Sequence, residues 1–182
     1  MDSLQQKAEQ FLIDSFTNAG KPTDIVHGQR TAYWISHLKA DADEALMVAG
    51  LLHDIERAFH GDWKKGSDDP AFLRKHQELS AKEAARFLEA VHAGRPFIER
   101  VKHLILKHEE GGDAEQNILC DADCLAFFEE KALRHAKEAA RSGAVKAVKR
   151  RLDHVLSRVS SREARRVAQV YYTEAMIILG VE

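Results

Sequence analysis

The sequence holds little that would staple or anchor it: two cysteines, three prolines, and no apolar run near the ~18 residues that a membrane span needs. The cysteines, Cys120 and Cys124, stand one helical turn apart, which does not suit a disulfide framework. No second Cys/His pair of zinc-finger spacing completes a set, so both are expected as small buried side chains. The first residues lack a basic stretch leading into an apolar one, so no secretory signal is visible and a cytoplasmic protein is expected. A P-loop and a dinucleotide-binding glycine pattern are missing too, which argues against ATP-driven synthesis. Internal repeats, low-complexity tracts and useful β-type alternation are also missing.

What is present is helical periodicity in a chain of 182 residues, 45% hydrophobic and 31% charged, enough for one domain with a real core. Leu4, Ala8, Phe11, Leu12, Phe16 and Ala19 recur at helical spacing until Gly20-Lys21-Pro22 stops the run. Thr23 is the expected cap of the next helix, and Asp41-Ala42-Asp43-Glu44 carries a capping-box pattern for a third that reaches His53-Asp54. The stretch His60–Asp69 reads as a loop, and Pro70 sits where a helix starts. Periodicity then predicts helices from Pro70 to near Gly94, from Pro96 to Glu110, and from Glu115 to Arg141. Two more follow, over Ala144–Arg158 and Ser161–Leu179, the last with a capping-box pattern from Ser160 to Glu163. The fold class is all-α.

Charge is balanced in total, at −2, and uneven in place. Residues 131–166 carry twelve Lys/Arg against three Asp/Glu, whereas residues 1–130 carry fifteen against 24. The basic residues alternate with regular apolar positions (Ala144, Val148, Leu152, Val155, Val159). This predicts solvated helix faces beside an acidic body, docked on the bundle or on a second copy. The domain as a whole is not basic, which argues against nucleic acid as a partner.

His53-Asp54 closes the apolar run Ala45–Leu52. Burying two such groups unpartnered costs several kcal/mol, and a divalent cation is the simplest partner for both. Asp123 has Leu119, Ala126 and Phe127 as helical neighbours and points towards the core. His108 follows Leu104 and Ile105 by one turn and lies beside an apolar face. His27 and Arg30 share one side of the second helix. Asp121 reads as a group supporting the site or as a surface acid.

The order His27…His53-Asp54…Asp123 resembles the HD superfamily of metal-dependent phosphohydrolases. Local context agrees in His27-Gly28-Gln29-Arg30, Leu51-Leu52-His53-Asp54-Ile55-Glu56 and Asp121-Ala122-Asp123-Cys124-Leu125. The resemblance covers about residues 20–130. It implies an HD-domain helical bundle over residues 1–130; the C-terminal helical extension over 131–182 is expected to pack on the same domain, since a single domain needs cover for its core. It further implies that His27, His53, Asp54 and Asp123 hold one metal. Members with two metals add histidines where His76 and His108 stand, with Asp54 bridging. The cofactor is then one or two divalent ions drawn from Mn, Fe, Mg, Co, Ni or Zn.

This chain departs from the family pattern at two places. Arg57 stands where many members place a phosphate-contacting Lys, exchanging a point charge for a planar fork. Glu56 stands one residue before the usual place of a water-assisting glutamate. Glu56 or Asp62 is the expected general base, with Arg57 beside it in the catalytic group. Arg30, Arg57 and Lys107 are the expected phosphate contacts, joined by Lys64-Lys65 in the loop. The function implied is hydrolysis of a phosphate ester or anhydride of a small metabolite, chiefly a nucleotide, by metal-activated water. Two alternatives stay open: a di-iron oxygenase on the same fold, and a non-catalytic metal- and nucleotide-binding sensor. Self-association through the C-terminal helices also stays open.

Overall fold

The third helix is apolar on nearly every side, so it needs cover all round, and the rest of the chain supplies it. A computed structural model describes residues 2–61 and 69–181, and no strand occurs among them. The helices are α1 (Leu4–Asn18), α2 (Pro22–Leu38), α3 (Glu44–Leu52), α4 (Pro70–Ala90) and α5 (Arg95–Ile105). They continue as α6 (Ala114–Phe127), α7 (Leu133–Ser142), α8 (Val145–Arg158) and α9 (Arg162–Leu179). Helix α3 packs against α1, α2, α5 and α6. No helix among the described residues is long and apolar enough to cross a membrane.

Local chemistry explains most boundaries. Ser3 and Gln6 form a capping box on α1, Asp113 and Gln116 form one on α6, and Asp43 accepts from the Leu46 amide at α3. Asp69 caps α4 one residue before Pro70. The expected start of α2 at Thr23 moves forward, because Pro22 opens the helix with Lys21 outside it. The cap of α9 is Ser161, which accepts from Ala164 N, and not Ser160. Helix α5 stops at Ile105, short of the expected Glu110, because His108 turns back to bond the Ile105 carbonyl. The helix expected over Glu115–Arg141 is broken by a π-helical segment, Phe128–Ala132. Much of the expected loop, residues 62–68 with Asp62 and Lys64-Lys65, lies outside the described residues.

The C-terminal helices share the central core. Leu152, Val155, Val159, Ala168 and Met176 are buried in the same apolar cluster as Leu46, Leu52 and Leu125. Asp121 ties them down: its carboxylate accepts from Ser160 N at 2.6 Å and Ser161 N at 2.9 Å, holding the start of α9 on α6. Cys120 and Cys124 are buried and unbridged.

Helix α2 approaches α3 closely because two glycines permit it. A Cβ on Gly28 would lie 2.8 Å from the Leu51 carbonyl and 2.9 Å from Leu12 Cδ2; one on Gly50 would meet Ile35. This approach sets His27 against His53, with ring centroids 5.2 Å apart. Gly28→Ala should therefore force the helices apart and cost about 1–3 kcal/mol. A lowered urea midpoint is the expected result, and an unchanged midpoint would contradict this account of the packing.

Candidate metal centre

Two histidines reach the site by the same device. His53 follows α3 and His108 follows α5, and each places Nδ1 2.8 Å from the carbonyl three residues back, Gly50 and Ile105 respectively. A carbonyl only accepts, so Nδ1 carries the proton and Nε2 keeps its lone pair. Both Nε2 atoms are buried without a hydrogen-bond partner, a condition worth about 1–3 kcal/mol of lost solvation each. His76, from α4, is turned by Glu56, whose Oε1 lies 2.7 Å from Nδ1. Its Nε2 comes within 2.9 Å of Asp54 Oδ1 without hydrogen-bond alignment.

Asp54 lies at the junction. Its Oδ2 is 3.7 Å from His27 Nε2 and 3.6 Å from His53 Nε2. Its Oδ1 faces the other way, towards His76 Nε2 and, at 3.7 Å, His108 Nε2. Two groups result, His27/His53/Asp54 and Asp54/His76/His108, with the ligand atoms of each within 4.8 Å of one another. Asp123 Oδ1 joins the first, 3.0 Å from His27 Nε2 and 3.5 Å from His53 Nε2. Imidazole nitrogens and carboxylate oxygens, buried and converging, suit divalent transition metals.

Residues outside the expected set hold these ligands in place. Arg158, the last residue of α8, donates to Asp123 Oδ2 at 2.8 Å, pairs with Glu109 Oε2 at 3.0 Å and bonds the His108 carbonyl. Glu109 then turns Oε1 towards His76 and His108, 3.9 and 3.8 Å from their Nε2 atoms. The π-helical segment brings Glu130 Oε2 to 3.5 Å from His27 Nδ1, the side on which carboxylates orient ligating imidazoles. A cavity of about 80 Å³ opens over the cluster, lined by Asp54, Arg57, Glu109, Asp123 and also by Lys131, Arg151, His154 and Arg158. One signal for the last three was in the sequence: positions 151, 154 and 158 share a helix face with Val155.

Several expected roles do not match these positions. Glu56 is buried behind His76, bonded to Nδ1 on the ring's far side from Nε2, so it orients an imidazole instead of facing the cavity. Arg30 is spent on Glu129 in a two-pronged pair at 2.8 and 2.7 Å, stacked 3.8 Å over Tyr33. Three residues fall about 60° short of a turn, so Arg30 does not follow His27 into the site. Lys107 pairs with Glu110 at 2.8 Å on the surface, since α5 ends before it. Arg57 does line the cavity, paired with Asp54 Oδ2 and 3.8 Å from Asp24.

Electrostatics follow the packing. Burial would raise Asp54, but Arg57, His53 and His76 hold its carboxyl well below the usual range; Arg158, His27 and His53 do the same for Asp123. Burial pushes His108 down to about 4, so it is neutral at pH 7. His76 resists burial because the Asp54 and Glu56 carboxylates stand beside its two ring nitrogens, and it is raised to about 9.

A family model described as a domain of unknown function, DUF4202, matches residues 5–177, and the chain belongs to that family. Comparison with curated proteins and with solved structures returns no match.

Because His76 is raised to about 9, it holds its proton at pH 7 when no metal is bound, and an ion taking Nε2 must displace it. Calorimetric titration of Mn²⁺ in buffers of different ionisation enthalpy should report release of about one proton or more per chain. Heats independent of buffer would show that His76 is not a ligand.

Proposed function

We propose that this protein is a metal-dependent phosphohydrolase of the HD type, with a two-ion centre bridged by Asp54. The observation that carries the reading is the division of that carboxylate: one oxygen faces the His27/His53 pair, the other faces His76 and His108. The buried Nε2 atoms of His53 and His108 have no hydrogen-bond partner, and that of His76 meets only the Asp54 carboxylate, an arrangement that fits metal ligation. His27, His53, Asp123 and Asp54 Oδ2 would hold one ion; His76, His108 and Asp54 Oδ1 would hold the other. Divalent ions bound there would supply Lewis acidity and acidify a water nucleophile.

The chain's own residues then do the rest. Arg57 stands beside the bridging carboxylate and is placed to meet a phosphate oxygen, as its place in the signature suggests. Glu109 is ionised: against burial, Arg158 and His108 draw its carboxyl downward. Its Oε1 is the carboxylate aimed at the second group, so it replaces Glu56 as acceptor of the attacking water's proton. Glu56 fixes the His76 ring, and Glu130 faces the back of His27. Arg158 holds both Asp123 and Glu109 in orientation. The cationic lining supports phosphate as substrate and gives an oxidising di-iron site no advantage. A nucleotide remains the proposed substrate class, on the strength of the signature.

Elemental analysis tests the reading directly. Wild-type protein should carry close to two ions per chain; His108→Ala should lose one, and Asp54→Ala both, with loss of phosphate release from a nucleotide panel. Wild-type metal content in Asp54→Ala would overturn the bridged centre.

A further inference from the structure

Lys131 and Arg151 stand apart from the other charges of the cavity. Arg57 is paired with Asp54, and Arg158 is locked between Asp123 and Glu109. Lys131 and Arg151 line the same cavity, are half-buried, and have no carboxylate within ion-pair distance among the described residues. Arg151 lies 5.0 Å over the Phe127 ring, a contact that fixes the guanidinium without neutralising it. Burial and the like charge of Arg57 push both groups downward. An arrangement of this kind is unfavourable alone and becomes favourable when an anion enters.

They also arrive by separate routes. The π-helical segment carries Lys131, and α8 carries Arg151, on the C-terminal helices outside the signature-bearing part of the chain. Among the cavity's described residues, four Lys/Arg face three carboxylates even before any divalent ion adds its charge. The surplus favours a multiply charged anion over a singly charged one.

We propose that Lys131 and Arg151 form an anion subsite that takes the terminal, dianionic phosphate of a phosphomonoester, selecting monoesters over diesters. This inference rests on the hydrolase reading for its substrate, and it assigns the specificity to the C-terminal helices. It gives those helices a role beyond covering the core: they complete the cavity with charges that the metal ligands lack.

Titration of inorganic phosphate into metal-loaded protein tests the subsite, with metal content measured on the same samples. Lys131→Met and Arg151→Met should each weaken phosphate binding on the order of 10-fold or more, the loss expected for a charge-assisted contact. Metal content should stay at the wild-type level. Lys131→Arg, which keeps the charge, should retain most of the binding and guards against a folding artefact. In parallel, p-nitrophenyl phosphate should be turned over in preference to bis-p-nitrophenyl phosphate, and the two Met variants should narrow that preference. Phosphate binding unchanged in both Met variants, or absent in the wild type, overturns the subsite even where metal and hydrolysis are intact. Loss of phosphate binding on substitution, in a protein that takes up no metal, would uphold the subsite while removing the hydrolase reading.

Discussion

A carboxylate shared between two pairs of imidazoles is the constraint on which the rest depends. Asp54 is buried among four histidines, and its two oxygens look in opposite directions. Each of those histidines presents a buried ring nitrogen without a hydrogen-bond partner among the described residues. A stable core does not leave so many polar atoms unpaired without a use for them, because each costs more than a typical hydrogen bond contributes. The cluster stores unfavourable solvation that a bound ion would relieve, and the helices around it keep the side chains from relaxing away.

The fold holds the cluster by simple means. Gly28 and Gly50 allow α2 and α3 to approach, which faces His27 towards His53. Two helices are followed by a histidine folded back on the carbonyl three residues earlier, Gly50 for His53 and Ile105 for His108, which fixes both the tautomer and the direction of the free nitrogen. Asp121 holds the corner between α8 and α9, and Arg158 at that corner clamps Asp123 and Glu109. Each device links a local hydrogen bond to the position of a group in the site. Helices carry His27, His76 and Asp123, and the turns that directly follow α3 and α5 carry His53, Asp54 and His108.

Much of this was legible before any coordinates. The apolar run ending in His53-Asp54 announced a buried ionisable pair, and Asp123 with its apolar helical neighbours announced another; both lie in the cluster. The all-α class followed from periodicity and caps. What periodicity missed depended on contacts distant in sequence. Arg30 shares a helix with His27, yet Glu129, 99 residues on, captures it. Glu56 follows the motif directly, but its target is the back of His76, twenty residues away. The π-helical break at Phe128–Ala132 has no clear sequence mark, although it re-aims Glu130 and Lys131. The basic C-terminal stretch read as a solvated face because charge was counted along the chain; Arg151 and Arg158 share a helix face with buried Val155 and line the cavity.

In the proposed centre, Asp54 would join two ions. Electron paramagnetic resonance of protein loaded with Mn²⁺ tests it most directly, because two ions sharing a bridge about 3.5–4 Å apart are spin-coupled. The account predicts the multiline signal of a coupled pair at two equivalents per chain. The uncoupled six-line spectrum of isolated ions at every loading would contradict it.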